Sequence, residues 1–137
     1  MTADNQLIEQ CVHEGRLLAM VVRAGFAPPA TKFVTPDDCN QQIGFIVYGR
    51  GTEIPRHSHL PIERTIQGTT EVVLVRRGSC TAEIFNQART RIAEFHLNVG
   101  DLILLNGGAH GFKVHEDTVL LEVKQGPFMT APEKERF

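Results

Sequence analysis

Apolar and polar positions come in short bursts along this chain, with turn-forming residues between them. Residues 16–23 (RLLAMVVR) are continuously apolar between their end arginines, the pattern of a strand buried on both faces. The run Gly25-Phe26-Ala27-Pro28-Pro29 ends it, because proline has no N–H to give a ladder. A short edge strand is predicted over residues 32–35, then a turn at Pro36-Asp37-Asp38 and a clear strand over residues 42–48 (QIGFIVY). Further strands are predicted over residues 72–75, 80–86, 91–97, 102–105, 112–114 and 119–124, with Gly, Asn and Asp between them. About nine short strands with regular turn signals point to an all-β sandwich or barrel. At the start, apolar Leu7, Ile8, Cys11 and Val12 at i, i+1, i+4 and i+5 predict a short amphipathic helix over residues 2–13, ended by Gly15. From Gly126 the tail reads as an extended arm or a short terminal helix.

Composition narrows the class. At 137 residues the chain has room for one core, so a single domain over residues 1–137 is predicted, with its barrel core at about 40–125. Hydrophobic residues at 42% and charged residues at 22% are those of an ordinary globular protein. A net charge of −2 gives no electrostatic reason to expect nucleic acid or an anionic membrane as partner. No apolar stretch approaches the roughly 20 residues of a membrane span, and no basic-then-apolar leader opens the chain, so the cytoplasm is the default expectation. Three cysteines, Cys11, Cys39 and Cys80, lack CxxC spacing and are expected to be small buried thiols.

The chemistry concentrates between Gly51 and Gly78. His57 and His59 stand one residue apart, Glu63 and Glu71 follow, and His110 comes later in GDLILLNGGAHGF. Imidazoles and carboxylates are what a divalent transition metal favours, and a catalytic ion needs three or four of them with a position left open. If His57-Ser58-His59 is extended, its two imidazoles point the same way about 6.6 Å apart at Cα. Asn106-Gly107-Gly108 permits the positive φ of a tight turn ahead of His110.

The order Gly51, His57-X-His59, Glu71, Gly78 resembles the first motif of the cupins. Gly100-Asp101 through His110 is similar to the second, with Asn106 where proline is usual and the trailing Asn missing. Eleven residues separate His59 from Glu71, where cupins have three or four. Glu63 fits the spacing counted forwards from His59, and Glu71 fits it counted backwards from Gly78. Glu71 is preferred because it opens an apolar strand, and ligands on regular elements are better held.

The resemblance implies a single-domain cupin-type double-stranded β-helix, a jelly-roll barrel. It further implies metal ligands His57, His59, Glu71 and His110, an ion such as Fe, Mn, Ni, Co or Zn, and a homodimer. A metal with an open position suits a dioxygenase, isomerase or decarboxylase acting on a small organic acid or sugar-derived substrate. Glu63 is a candidate acid/base or partner of Arg64, and Arg56, Arg64 and Lys124 are candidates for steering an acidic substrate. Glu122 and Lys124 share one face of the last strand, either solvated or lumenal. A non-catalytic metal- or ligand-binding module, and a metal-free sugar-nucleotide epimerase-like cupin with a histidine base, are the alternatives. His13, His96 and His115 have no partner at ligand spacing and are expected to be ordinary polar residues.

Overall fold

The structure, a computed structural model, describes residues 7–128 and 133–137. Among them it is all-β, with ten strands and no helix. The chain forms two compact units. The larger holds the described residues up to Phe26 together with those from Thr69 onward, and the smaller is Ala27–Gly68.

The larger unit contains two antiparallel sheets. One has the strand order β1 (Ile8–His13), β2 (Arg16–Val22), β8 (Leu102–Leu105), β5 (Glu71–Arg77), β10 (Val119–Lys124). The other has the order β7 (Arg91–Leu97), β6 (Cys80–Phe85), β9 (Ala109–Val114). Alternation along β5 and β6 buries Glu71, Val73 and Val75 on one, and Cys80, Ala82 and Ile84 on the other. Val73, Val75, Cys80, Ala82 and Ile84 meet Ala19, Val21, Ile103, Leu105 and Leu97 in one core between the sheets. Met20 and Leu104 are fully buried as well, on the opposite face of the five-stranded sheet. That is why β2 and β8 read as continuous apolar runs rather than alternating ones.

The predicted N-terminal helix is corrected. Ile8–His13 is β1, and residues 2–6 lie outside the described residues. Glu14 and Gly15 both take positive φ (50° and 75°), the geometry of a two-residue hairpin turn, and His13 pairs with Arg16 across it. β1 is an edge strand anchored inward by Cys11, while Val12 is 52% exposed. With one deep anchor it shows no alternation strong enough to oppose a helical reading. The register shift between Cys11 and Val12 leaves Leu18 as an extra residue in β2, so that Leu18 and Ala19 both enter the core.

In the smaller unit, the strand predicted over residues 42–48 shortens to β4 (Gly44–Phe45), paired with β3 (Lys32–Phe33). Its flanks are satisfied otherwise. Thr35 Oγ1 accepts from the Ile43 N–H at 3.1 Å, and Thr31 Oγ1 from the Val47 N–H at 3.0 Å. The Gln42 amide donates to the carbonyls of Pro36 and Cys39, at 2.9 and 3.0 Å. Backbone groups held by side chains leave no ladder to extend.

Cys11, Cys39 and Cys80 are free and buried, and burial pushes all three thiols up. No helix of the described residues is long and apolar enough to cross a membrane.

Candidate functional site

Glu71 opens β5 on the inner face, with its side chain 9% exposed. Its position is fixed from the end of neighbouring β10. The Thr70 N–H donates to Gln125 Oε1 at 2.9 Å, and Gln125 Nε2 donates to the Thr70 hydroxyl at 2.6 Å. Gln125 follows Lys124, the residue that pairs with Glu71 in the ladder.

His110 reaches the same place from the other sheet. It pairs with Ile84 on β6 and so faces inward. The turn before it is pinned to the bulge in β2: the Leu18 carbonyl accepts from the Asn106 and Gly107 N–H groups at 2.8 and 3.2 Å. Asn106 Nδ2 donates to the Leu17 carbonyl at 3.0 Å, which gives the residue standing in the usual proline position a job of its own. Gly108 takes φ 64°, and a Cβ there would collide with the Phe85 carbonyl oxygen, so the turn requires glycine.

The two elements bring His110 Nε2 to 3.2 Å from Glu71 Oε2. The hydrogen bond from His110 holds the Glu71 carboxyl below the ordinary glutamate value; burial opposes it, and a hydrogen bond to Glu122 adds to the lowering. Glu122 moves the other way, raised first by desolvation and then by its hydrogen bond to Glu71 and the charge there. Glu71 is therefore the ionised carboxyl of the pair and Glu122 the one that keeps its proton longer. The Lys124 ammonium lies 3.1 Å from Glu133 Oε1, and that bond raises its pKa. Its charge already has a carboxylate partner, which weakens it as a steering group for an acidic substrate. Glu71, His110, Phe85 and Phe112 border a cavity of about 600 Å³, closed on one side by residues 133–137.

The smaller unit carries the other candidates. Residues 46–70 contain no strand, so strand alternation does not aim His57 and His59. Their rings nevertheless sit with centroids 5.3 Å apart, at 73°. A ring nitrogen about 2.1 Å from an ion puts its centroid about 3.2 Å away, so two rings sharing a tetrahedral ion lie roughly 5.2 Å apart. His57 Nδ1 is 2.9 Å from the Pro55 carbonyl. A carbonyl only accepts, so Nδ1 carries the proton and Nε2 keeps its lone pair, the arrangement of a metal-ligating histidine. Arg56, Glu63 and Arg64 are exposed in irregular chain of this unit. Among the described residues, neither unit by itself gathers three His, Cys, Asp or Glu side chains around one point.

The donor atoms of Glu71 and His110 fit a metal. Two neighbouring ligands at about 2.1 Å from one ion stand about 3.0 Å apart in octahedral and about 3.4 Å apart in tetrahedral geometry, and the pair is 3.2 Å apart. Sequence reasoning placed Glu122 on the face of Lys124 but missed its contact with Glu71. Period-two alternation gives the face, whereas the contact depends on the register of β10 against β5. The Thr70–Gln125 lock joins residues 55 positions apart and left no local signal.

No family model, no curated protein and no solved structure matches the chain.

Proposed function

We propose that the chain is a cupin-type protein binding a divalent transition metal through Glu71 and His110. Its activity would be that of a small metal-dependent enzyme on a small organic acid or sugar-derived substrate. The observation that carries this reading is the 3.2 Å approach of His110 Nε2 to Glu71 Oε2 at the border of a cavity large enough for a small ligand. The ionised state of Glu71 supports it, since a carboxylate must be deprotonated to ligate.

When bound, such an ion supplies Lewis acidity and an open coordination position. The protein's own contribution is positional. Glu71 and His110 come from facing sheets, each locked by contacts far along the chain, so their separation is set by the core rather than by a loop. Glu122, its pKa raised by desolvation and by the Glu71 carboxylate beside it, is the carboxyl of the pair that gives up its proton later and so the candidate donor to a substrate oxygen. Phe85 and Phe112 provide apolar wall.

A second reading follows from the same contact: a metal-free acid/base site in which Glu71 orients His110 as the base, as in an epimerase-like cupin. Chelation separates the two, because activity lost with EDTA and restored by one metal belongs to the first, and activity indifferent to EDTA belongs to the second. Metal analysis of the purified protein is the direct test of the first. A homodimer belongs to the proposal through the cupin resemblance, and light scattering would show it as a doubled mass.

A further inference from the structure

The outer face of the three-stranded sheet holds another pair of imidazoles. His96 on β7 stands opposite Thr81 of β6, and His115 follows β9 directly, its N–H donating to the Ser79 carbonyl at 3.1 Å. Their neighbours Leu97, Cys80 and Ala82 point into the core, so alternation turns His96 and Thr81 outward. The ring centroids of His96 and His115 are 5.4 Å apart, with the planes tilted by 34°, and both residues are exposed. That spacing is close to the roughly 5.2 Å at which two imidazoles share a tetrahedral ion. Nineteen positions separate them in sequence, and the pairing of β7 and β9 on either side of β6 closes the gap.

The surroundings suit a cation. Thr81 Oγ1 lies 2.7 Å from His115 Nε2. With Nε2–H donating to that hydroxyl, the lone pair is left on Nδ1, and the ring has the outer hydrogen bond typical of a metal-bound histidine. The nearby positive groups are already engaged. Arg23 is held by Glu9 at 2.5 Å and Asp101 at 3.1 Å, and its Nη1 donates to the His96 carbonyl at 2.6 Å. Lys113, beside Thr81 in the ladder, has its ammonium 3.5 Å from Glu83 Oε1.

We propose that His96 and His115 form a surface site for a divalent transition cation of the copper, nickel and zinc class, completed by water. It is separate from the Glu71–His110 pair and does not depend on it. A bound ion would clip edge strand β7 to the turn after β9 across β6.

The probe is copper(II) titrated into ¹⁵N-labelled protein carrying His57→Ala and His110→Ala, which removes the other imidazole pair and the inner site. The proposal predicts one equivalent bound, with amide broadening centred on residues 81, 96 and 115. His96→Ala or His115→Ala should weaken binding by at least tenfold, and Thr81→Val by about tenfold through loss of the outer hydrogen bond. Saturating zinc should raise Tm in the parent and leave it unmoved in His96→Ala. Should the parent fold poorly, the same titration of otherwise wild-type protein and of His96→Ala alone is compared, and the broadening at residues 81, 96 and 115 should vanish only in His96→Ala. Binding of undiminished affinity in both His96→Ala and His115→Ala, or broadening centred elsewhere, would overturn the site. Undiminished affinity in Thr81→Val would overturn the role given to that hydroxyl.

Discussion

Asp101 opens the second half of the motif pattern, and its carboxylate does structural work that a substitution can measure. It is 5% exposed and accepts three hydrogen bonds: from the Ala24 N–H at 2.9 Å, the Asn98 N–H at 2.9 Å and Arg23 Nη1 at 3.1 Å. Together these tie the end of β2 to the turn before β8. Bonds to a charged acceptor contribute about 1.5–3 kcal/mol each, so Asp101→Ala would cost well over 4 kcal/mol if every donor stayed dry. They do not. Ala24 and Asn98 are exposed and their N–H groups regain water, and Arg23 retains Glu9. The expected loss is therefore about 3 kcal/mol. Asp101→Asn should lose nearly as much, since its amide nitrogen would confront a donor. Equilibrium urea unfolding reads this directly: with a slope near 2 kcal/mol per M, the midpoint should fall by about 1.5 M at unchanged slope. A double-mutant cycle with Arg23→Ala should return a coupling of about 1 kcal/mol or more. A loss below about 1 kcal/mol for Asp101→Ala would refute the claim that this carboxylate organises the turn.

Three further outcomes follow from the site. Gly108→Ala must take φ 64° and push its Cβ against the Phe85 carbonyl, so unfolding free energy should drop by about 2–4 kcal/mol in the same urea assay, with weaker metal binding as His110 shifts. Asn106→Ala removes the bond to the Leu17 carbonyl and should cost about 1 kcal/mol by thermal or urea unfolding. In EDTA-treated protein, the lowered pKa of Glu71 means that its stabilisation is fully present above the ordinary glutamate value and is lost as pH falls through the lower, folded-state value. Glu71→Gln should therefore flatten the acid limb of a urea-midpoint profile run from about pH 7 to about pH 3, and an unaltered limb would contradict the assignment.

The sequence was most legible where an apolar-rich run stands between clear turn signals. Residues 91–97 and 102–105 were predicted with the bounds that β7 and β8 have, because those runs carry strong apolar signals between clear turns. Legibility failed at β1 and β4. β1 has one deep anchor, Cys11, and β4 loses its flanks to Thr31, Thr35 and Gln42, whose side-chain bonds leave no trace in hydropathy. At the site, Glu71 and His110 were readable as residue types at motif spacing. Their separation was not, because it is set by long-range contacts: Leu18 with Asn106, Thr70 with Gln125 and Gly108 with Phe85. His96 and His115 were read as unpartnered for the same reason, since only strand order puts them side by side.

The central claim is tested by the metal content of the purified protein, measured after incubation with Fe(II), Mn(II), Ni(II) or Zn(II). The series comprises wild type, Glu71→Gln, His110→Ala and Glu63→Gln, each also carrying His96→Ala to silence the outer pair. The account predicts near-stoichiometric metal in the parent, retained in Glu63→Gln and lost in Glu71→Gln and His110→Ala. A folded parent that stays metal-free with every ion, or one that loses its metal in Glu63→Gln and keeps it in Glu71→Gln, would contradict it.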